Sequence, residues 1–89
     1  MFFNDAWALG ALRALGEAKI AVPERMALTG SDGDISVKYG YIPITTLVQP
    51  IRQVTTEGVQ LLVGMIQARE ARKTLVRRLP CELRLGAST

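Results

Sequence analysis

Three polar residues follow short stretches that suit β-strands. Asn4 comes after Met1–Phe3, Asp32 after Met26–Thr29, and Gln49 after Thr45–Val48. Asn and Gln each offer a donor and an acceptor, and an ionised Asp offers acceptors only. Such a trio can read the hydroxyl groups of a small polar molecule. In open α/β sheets, ligands bind outside the carboxyl ends of the strands, which is where all three residues fall. The trio is poorly equipped for bond-breaking, because no nucleophile–base pair accompanies it. The chain has no histidine and one cysteine, Cys81. The commonest general base is therefore absent, and no zinc site or internal disulfide can be assembled. These residues predict a binding protein with no metal, no cofactor and no enzymatic activity.

Each position also has a simpler role. Asn4 can cap a helix, Asp32 can serve a turn, and Gln49 can be merely exposed. The segment Gly30-Ser31-Asp32-Gly33 is neither a G-x-G-x-x-G nor a Walker loop, and the charge of Asp32 repels phosphate. Trp7 could stack on a sugar, although its apolar neighbours favour packing. Asp32 and Asp34 could pair as acid and base, but closely spaced carboxylates are ordinary in turns.

The elements that position these residues follow from local chemistry. Met1–Phe3 reads as the tail of a buried strand that begins upstream. Asn4 or Asp5 suits an N-cap, and Ala6–Ala18 is rich in strong helix formers, with Pro23 marking the break. From Ala6 to Gly16 the one charge is Arg13. A surface helix normally keeps a polar face, so this one needs cover on two sides: a sheet and, most simply, another subunit. Met26–Thr29 reads as a buried parallel strand, Gly30–Asp34 as a turn-rich loop and Ile35–Ile44 as irregular. Thr45–Val48 is a second β-branched run. Pro50 suits the first turn of an amphipathic helix over Arg52–Arg69. Leu75–Leu79 and Cys81–Leu85 are strand candidates on either side of Pro80. The alternation predicts an α/β sandwich with mostly parallel strands.

At 89 residues, with 48% hydrophobic and 21% charged residues, the chain is one small domain or part of a larger one. The net charge of +3 is mild. Basic residues crowd into Arg69–Arg78 with Glu70 opposing them, which suits a helix C-terminus and an edge strand rather than a nucleic-acid face. The Met1–Phe3 run stops at Asn4-Asp5 with no basic segment before it, unlike a secretory signal. No apolar run reaches the roughly 18 residues of a membrane helix. A soluble, cytoplasmic protein is expected.

Four segments then resemble the lactose-repressor/galactose-repressor (LacI/GalR) family, in the right order and together spanning essentially the whole chain. Asn4–Leu12 is similar to its N-D-x-x-A-x-G-a, opening a helix. Val22–Asp32 is similar to v-P-e-d-i-a-l-x-G-x-D, Ile44–Pro50 to l-T-T-v-x-Q-p, and Leu83–Thr89 to the terminal l-x-x-R-x-S-T. The resemblance implies that residues 1–89 are a partial Rossmann-like three-layer sandwich. They would form a fragment of the C-terminal lobe of a periplasmic-binding-protein-like effector domain. It implies that Asn4, Asp32 and Gln49 face a small, sugar-like effector. It also implies that Leu9, Arg13 and Tyr41 make dimer contacts, in a homodimer or higher assembly. DNA would be read through an N-terminal domain outside this chain. The alternative is the C-terminal lobe of a periplasmic sugar-binding transport protein. The sequence departs from the family pattern at Ser31 and Gly33, so effector identity does not carry over, and at Gly86, where the terminal motif usually has arginine, so no role of that arginine carries over.

Overall fold

The computed structural model describes residues 1–68 and 75–89. Residues Met1–Gln49 and Cys81–Thr89 form one unit, and Pro50–Pro80 form a second.

The first unit begins with Met1–Phe3, which is not a regular strand. Phe2 N–H donates to the Thr29 carbonyl at 2.8 Å. Met1 and Phe3, however, are 88% and 80% exposed, which corrects the expectation of a buried strand. Helix α1 spans Asp5–Glu17. Asn4 is its N-cap, with extended backbone and Oδ1 accepting from Trp7 N–H at 2.9 Å. The helix ends well before Pro23. Lys19 takes a left-handed conformation (φ 57°). Its N–H donates to Gly16, and that of Ile20 donates to Leu15. This is the paired closure of a Schellman end, achieved without glycine.

Strand β1 covers Thr29–Asp32, three residues later than the apolar run suggests. Parallel pairing with β2, Thr45–Val48, sets its position, with Thr29 opposite Thr45 and Asp32 opposite Val48. Between them lies α2, one helical turn over Ile35–Lys38, within the segment expected to be irregular. Asp34 caps it by accepting from both the N–H and the hydroxyl of Ser36, at 2.7 and 2.6 Å. Strand β3, Glu82–Arg84, runs antiparallel to β2. The sheet order is β1-β2-β3, so the sheet is mixed rather than mostly parallel. Leu75–Leu79 forms no strand, and its Leu75 and Val76 are 57% and 77% exposed.

The core of this unit is small. Ala8, Leu28, Val37 and Ile44 are buried, with Phe2, Leu9, Leu12, Leu15 and Val22 packed around them. The chain's last residues bind its lower end. Buried Ser88 donates its hydroxyl to the Leu28 carbonyl at 2.7 Å and accepts from Thr45 N–H at 2.9 Å. A Cβ at Gly86 would collide with the Pro43 carbonyl, so no larger residue fits there as the backbone stands.

The second unit is carried by α3, Ile51–Ala68, whose first turn closes through Val54 N–H on the Pro50 carbonyl. Glu57 accepts from Gln53 at 2.9 Å and lies 3.8 Å from Arg77. Arg69, Glu70, Arg72 and Lys73 lie outside the described residues, so the expected basic helix end and the helix boundary at Arg69 lie there too. Among the described residues, no helix is long and apolar enough to cross a membrane.

Candidate functional site

The site is built at the carboxyl ends of β1 and β2. Asp32 is the last residue of β1, and Gln49 follows β2 directly. Gln49 N–H extends the ladder to the Asp32 carbonyl at 3.3 Å, and its Nε2 donates to Asp32 Oδ1 at 2.7 Å. Two of the three expected residues are thus joined, and both are exposed. Asn4 is half-buried at the start of α1, with Oδ1 committed to the cap. None of the described hydrogen bonds uses its Nδ2. Nor do the described hydrogen bonds use Asp32 Oδ2 or Gln49 Oε1, and none of them joins Asn4 to the Asp32–Gln49 pair.

Asp32 has φ 119° and the following Gly33 has φ 79°. Positive φ is natural for glycine and unusual for a side chain with a Cβ. Gly33 is required here on a second ground, since a Cβ would meet the Val48 backbone at 2.8 Å.

The sequence reading missed the residue beneath this turn. Asp5 is 1% exposed. One carboxylate oxygen accepts from Asp34 N–H at 2.7 Å, and the other accepts from the Thr46 hydroxyl at 2.6 Å. Thr46 Oγ1 in turn accepts from Gly33 N–H at 3.4 Å. A buried carboxylate is tolerable when its oxygens are hydrogen-bonded, and its place in the first turn of α1 adds the favourable end of the helix dipole. Gly30 makes the room: a Cβ there would collide with Asp5 Oδ1. Arg84, on β3, reaches over to donate to the Asp34 carbonyl at 2.9 Å. The one sequence signal was Asp5 beside Asn4, which local rules read as a second possible cap.

Other expectations separate here. Asp34 caps α2, and its carboxyl is held below the ordinary aspartate range, first by the Ser36 hydroxyl, then by the Ser36 N–H and by nearby Arg84. That carboxyl is committed to the α2 cap through Ser36 rather than to Asp32. Trp7 is 64% exposed and lies against Phe3 at 6.1 Å between ring centroids, rather than packing in the core. Among the residues expected at a dimer contact, Leu9 packs on the core, Arg13 pairs with Glu17 at 2.9 Å, and Tyr41 is fully exposed. Tyr41 also edges an apolar hollow of about 240 Å³ lined by Leu12, Ile20, Val22 and Ile42. Among the described residues, no cluster could hold a metal ion.

The described elements are a mixed sheet with polar residues at the carboxyl ends of its parallel strands and a capped helix, α1, whose Asp5 reaches the turn after β1. The chain belongs to the family of the periplasmic binding protein-like domain, whose model matches residues 1–89. Its relatives are LacI-family regulators, as the four motifs indicated. The HTH-type transcriptional repressor PurR of Vibrio cholerae serotype O1 (strain M66-2) is 32% identical over 78 residues, covering 88% of this chain and 23% of the repressor. The HTH-type transcriptional regulator GalR of Lacticaseibacillus casei is 38% identical over 64 residues, covering 72% of this chain and 19% of that regulator. The chain thus spans about a quarter of the curated relatives it matches.

Solved structures agree. A LacI family transcriptional regulator from Enterococcus faecalis V583 with bound ribose superposes with a TM-score of 0.87 at 32% identity, over 97% of this chain and 32% of that one. One from Arthrobacter sp. FB24 in complex with lactose gives 0.84 at 32% identity, over 98% and 33%. The periplasmic-binding-protein-like α/β fold expected from the sequence is the fold observed.

Proposed function

We propose that this chain supplies one wall of the effector cleft of a LacI-type transcriptional regulator and binds a sugar-like molecule through Asp32, Gln49 and Asn4. The observation that carries this is the Asp32–Gln49 pair, exposed at the carboxyl ends of two parallel strands and hydrogen-bonded at 2.7 Å. A carboxylate and an amide already oriented by one another can bind adjacent hydroxyls without first losing much side-chain freedom. The sugars in the two superposed regulators support the substrate class. Effector binding would act by differential affinity for two arrangements of the intact regulator, and no reaction is catalysed. DNA would be bound by another part of that regulator, in the cytoplasm. Leu9, Arg13 and Tyr41 would lie at its dimer contact, with the apolar hollow beside Tyr41 giving such a contact something to fill. The regulator reading is preferred to a transport protein because the curated relatives quoted above are regulators.

The test is calorimetry on the natural gene product that carries this chain, against pentoses, hexoses, disaccharides and nucleobases. A ligand bound by the wild type and lost in Asp32→Ala, with unchanged circular dichroism, is the expected result. Equal binding by Asp32→Ala and the wild type would sink the assignment.

A further inference from the structure

We propose that Asp5, Thr46 and Arg84 form a clamp whose task is to hold Asp32 in its left-handed backbone conformation, so that its carboxylate is presented at the strand ends. This rests on the assignment of Asp32 as a ligand-facing residue. These three are positioning residues, and none is exposed with Asp32 and Gln49 at the strand ends.

The argument starts from strain. A non-glycine residue at φ 119° is costly and persists where its surroundings over-determine it. Three elements do so here. From α1, Asp5 accepts from Asp34 N–H at 2.7 Å. From β2, the Thr46 hydroxyl accepts from Gly33 N–H and donates to Asp5, making a two-bond relay from the turn to the buried carboxylate. From β3, Arg84 donates to the Asp34 carbonyl at 2.9 Å. The two residues after Asp32 are therefore gripped at three backbone atoms. On its other side, the Asp32 carbonyl accepts from Gln49 N–H at 3.3 Å. Both flanks are thus held by hydrogen bonds that oppose relaxation of the Asp32 φ. Glycine would serve this backbone better, so the aspartate is kept at a cost in stability for what its carboxylate does. The clamp is also built into the strand beneath: Gly30 leaves the space that the Asp5 carboxylate occupies.

The experiment compares thermal midpoints of Asp32→Gly and Asp32→Ala in the natural gene product. Both lose the carboxylate, and only alanine keeps the strained Cβ. The clamp predicts that Asp32→Gly melts about 2–4 °C above Asp32→Ala. The comparison is repeated in Thr46→Val and in Arg84→Met backgrounds. These backgrounds loosen the grip without deleting the buried carboxylate, and the gap should shrink in each. No gap in the otherwise wild-type background, or an unchanged gap in both loosened backgrounds, overturns the proposal. A merely structural role for Thr46 or Arg84 would lower both midpoints and leave the gap intact. The readout needs no ligand, so failure of the sugar assignment shows separately, as absence of calorimetric binding with the gap preserved.

Discussion

Gln49 Nε2 donates to Asp32 Oδ1 at 2.7 Å, one residue beyond the last register pair of β1 and β2, Asp32 and Val48. The pairing fixes which oxygen of Asp32 is consumed internally and which the described hydrogen bonds leave unused. It also makes Gln49 a partner of Asp32 rather than an independent contact. Substitution of either should therefore weaken ligand binding, and the double variant should lose less than the sum of the two, since each loss already disorders the other. Calorimetry across the Asp32→Ala and Gln49→Ala cycle measures this, and strict additivity would contradict it.

Asn4 has two separable roles. Its Oδ1 caps α1 through Trp7 N–H. Asn4→Ala should cost about 1 kcal/mol of stability, whereas Asn4→Ser should retain most of the cap. Both should reduce ligand affinity if Nδ2 faces the ligand. Chemical denaturation and calorimetry on the same two proteins separate the roles. Full ligand affinity in Asn4→Ser would reduce Asn4 to a cap alone.

Gly30 is set by the Asp5 carboxylate rather than by its own backbone. A Cβ there would collide with Asp5 Oδ1, so Gly30→Ala should destabilise by about 1–3 kcal/mol. Denaturant midpoints check this. Near-neutral behaviour would mean that Asp5 can move aside without loss.

Ser88 joins three segments. Its hydroxyl donates to Leu28 and accepts from Thr45, and the residue is fully buried. Ser88→Ala leaves a buried carbonyl and a buried N–H without partners, at a cost of about 1–3 kcal/mol. Because Ser88 touches neither Asp32 nor Gln49, affinity of the folded variant should be unchanged. A variant as stable as the wild type would show that the closing hydrogen bonds contribute little.

Asp34 gives a pH-dependent signature. Its carboxyl is lowered below the ordinary aspartate value, chiefly by the Ser36 hydroxyl and then by the Ser36 N–H. A carboxyl whose folded pKa is depressed contributes stability above its unfolded pKa, and loses it as pH falls through the folded value. In Ser36→Ala the carboxyl should titrate at higher pH than in the wild type, yet remain lowered by the N–H bond. Carbon-detected NMR titration of Asp34 reports this directly, and an unmoved midpoint would contradict it.

What was legible in the sequence was chemistry that acts locally. The cap at Asn4, the β-branched run Thr45–Val48, the helix after Pro50 and the order of the motifs all depend on neighbours a few residues away. What was not legible depended on partners far along the chain. Strand β1 lies three residues later than its apolar stretch because the ladder with β2, not hydrophobicity, decides where it pairs. Leu75–Leu79 has strand composition but pairs as a strand with none of the described residues. The end of α1 was legible to within a residue, and only its closure through a left-handed Lys19 in place of a glycine was not. At the site, Asp32 and Gln49 were visible as polar residues after strand-like runs. Asp5 was not, because its bonds to Asp34 and Thr46 span 29 and 41 residues.

The most direct measurement is calorimetric titration of the natural gene product with D-ribose and lactose, alongside Asp32→Ala and Gln49→Ala. The sugar-cleft assignment predicts saturable binding of at least one of these or a related sugar, weakened by at least about tenfold in each variant, or about 1.4 kcal/mol. Undiminished affinity in both folded variants would place the ligand elsewhere and contradict it.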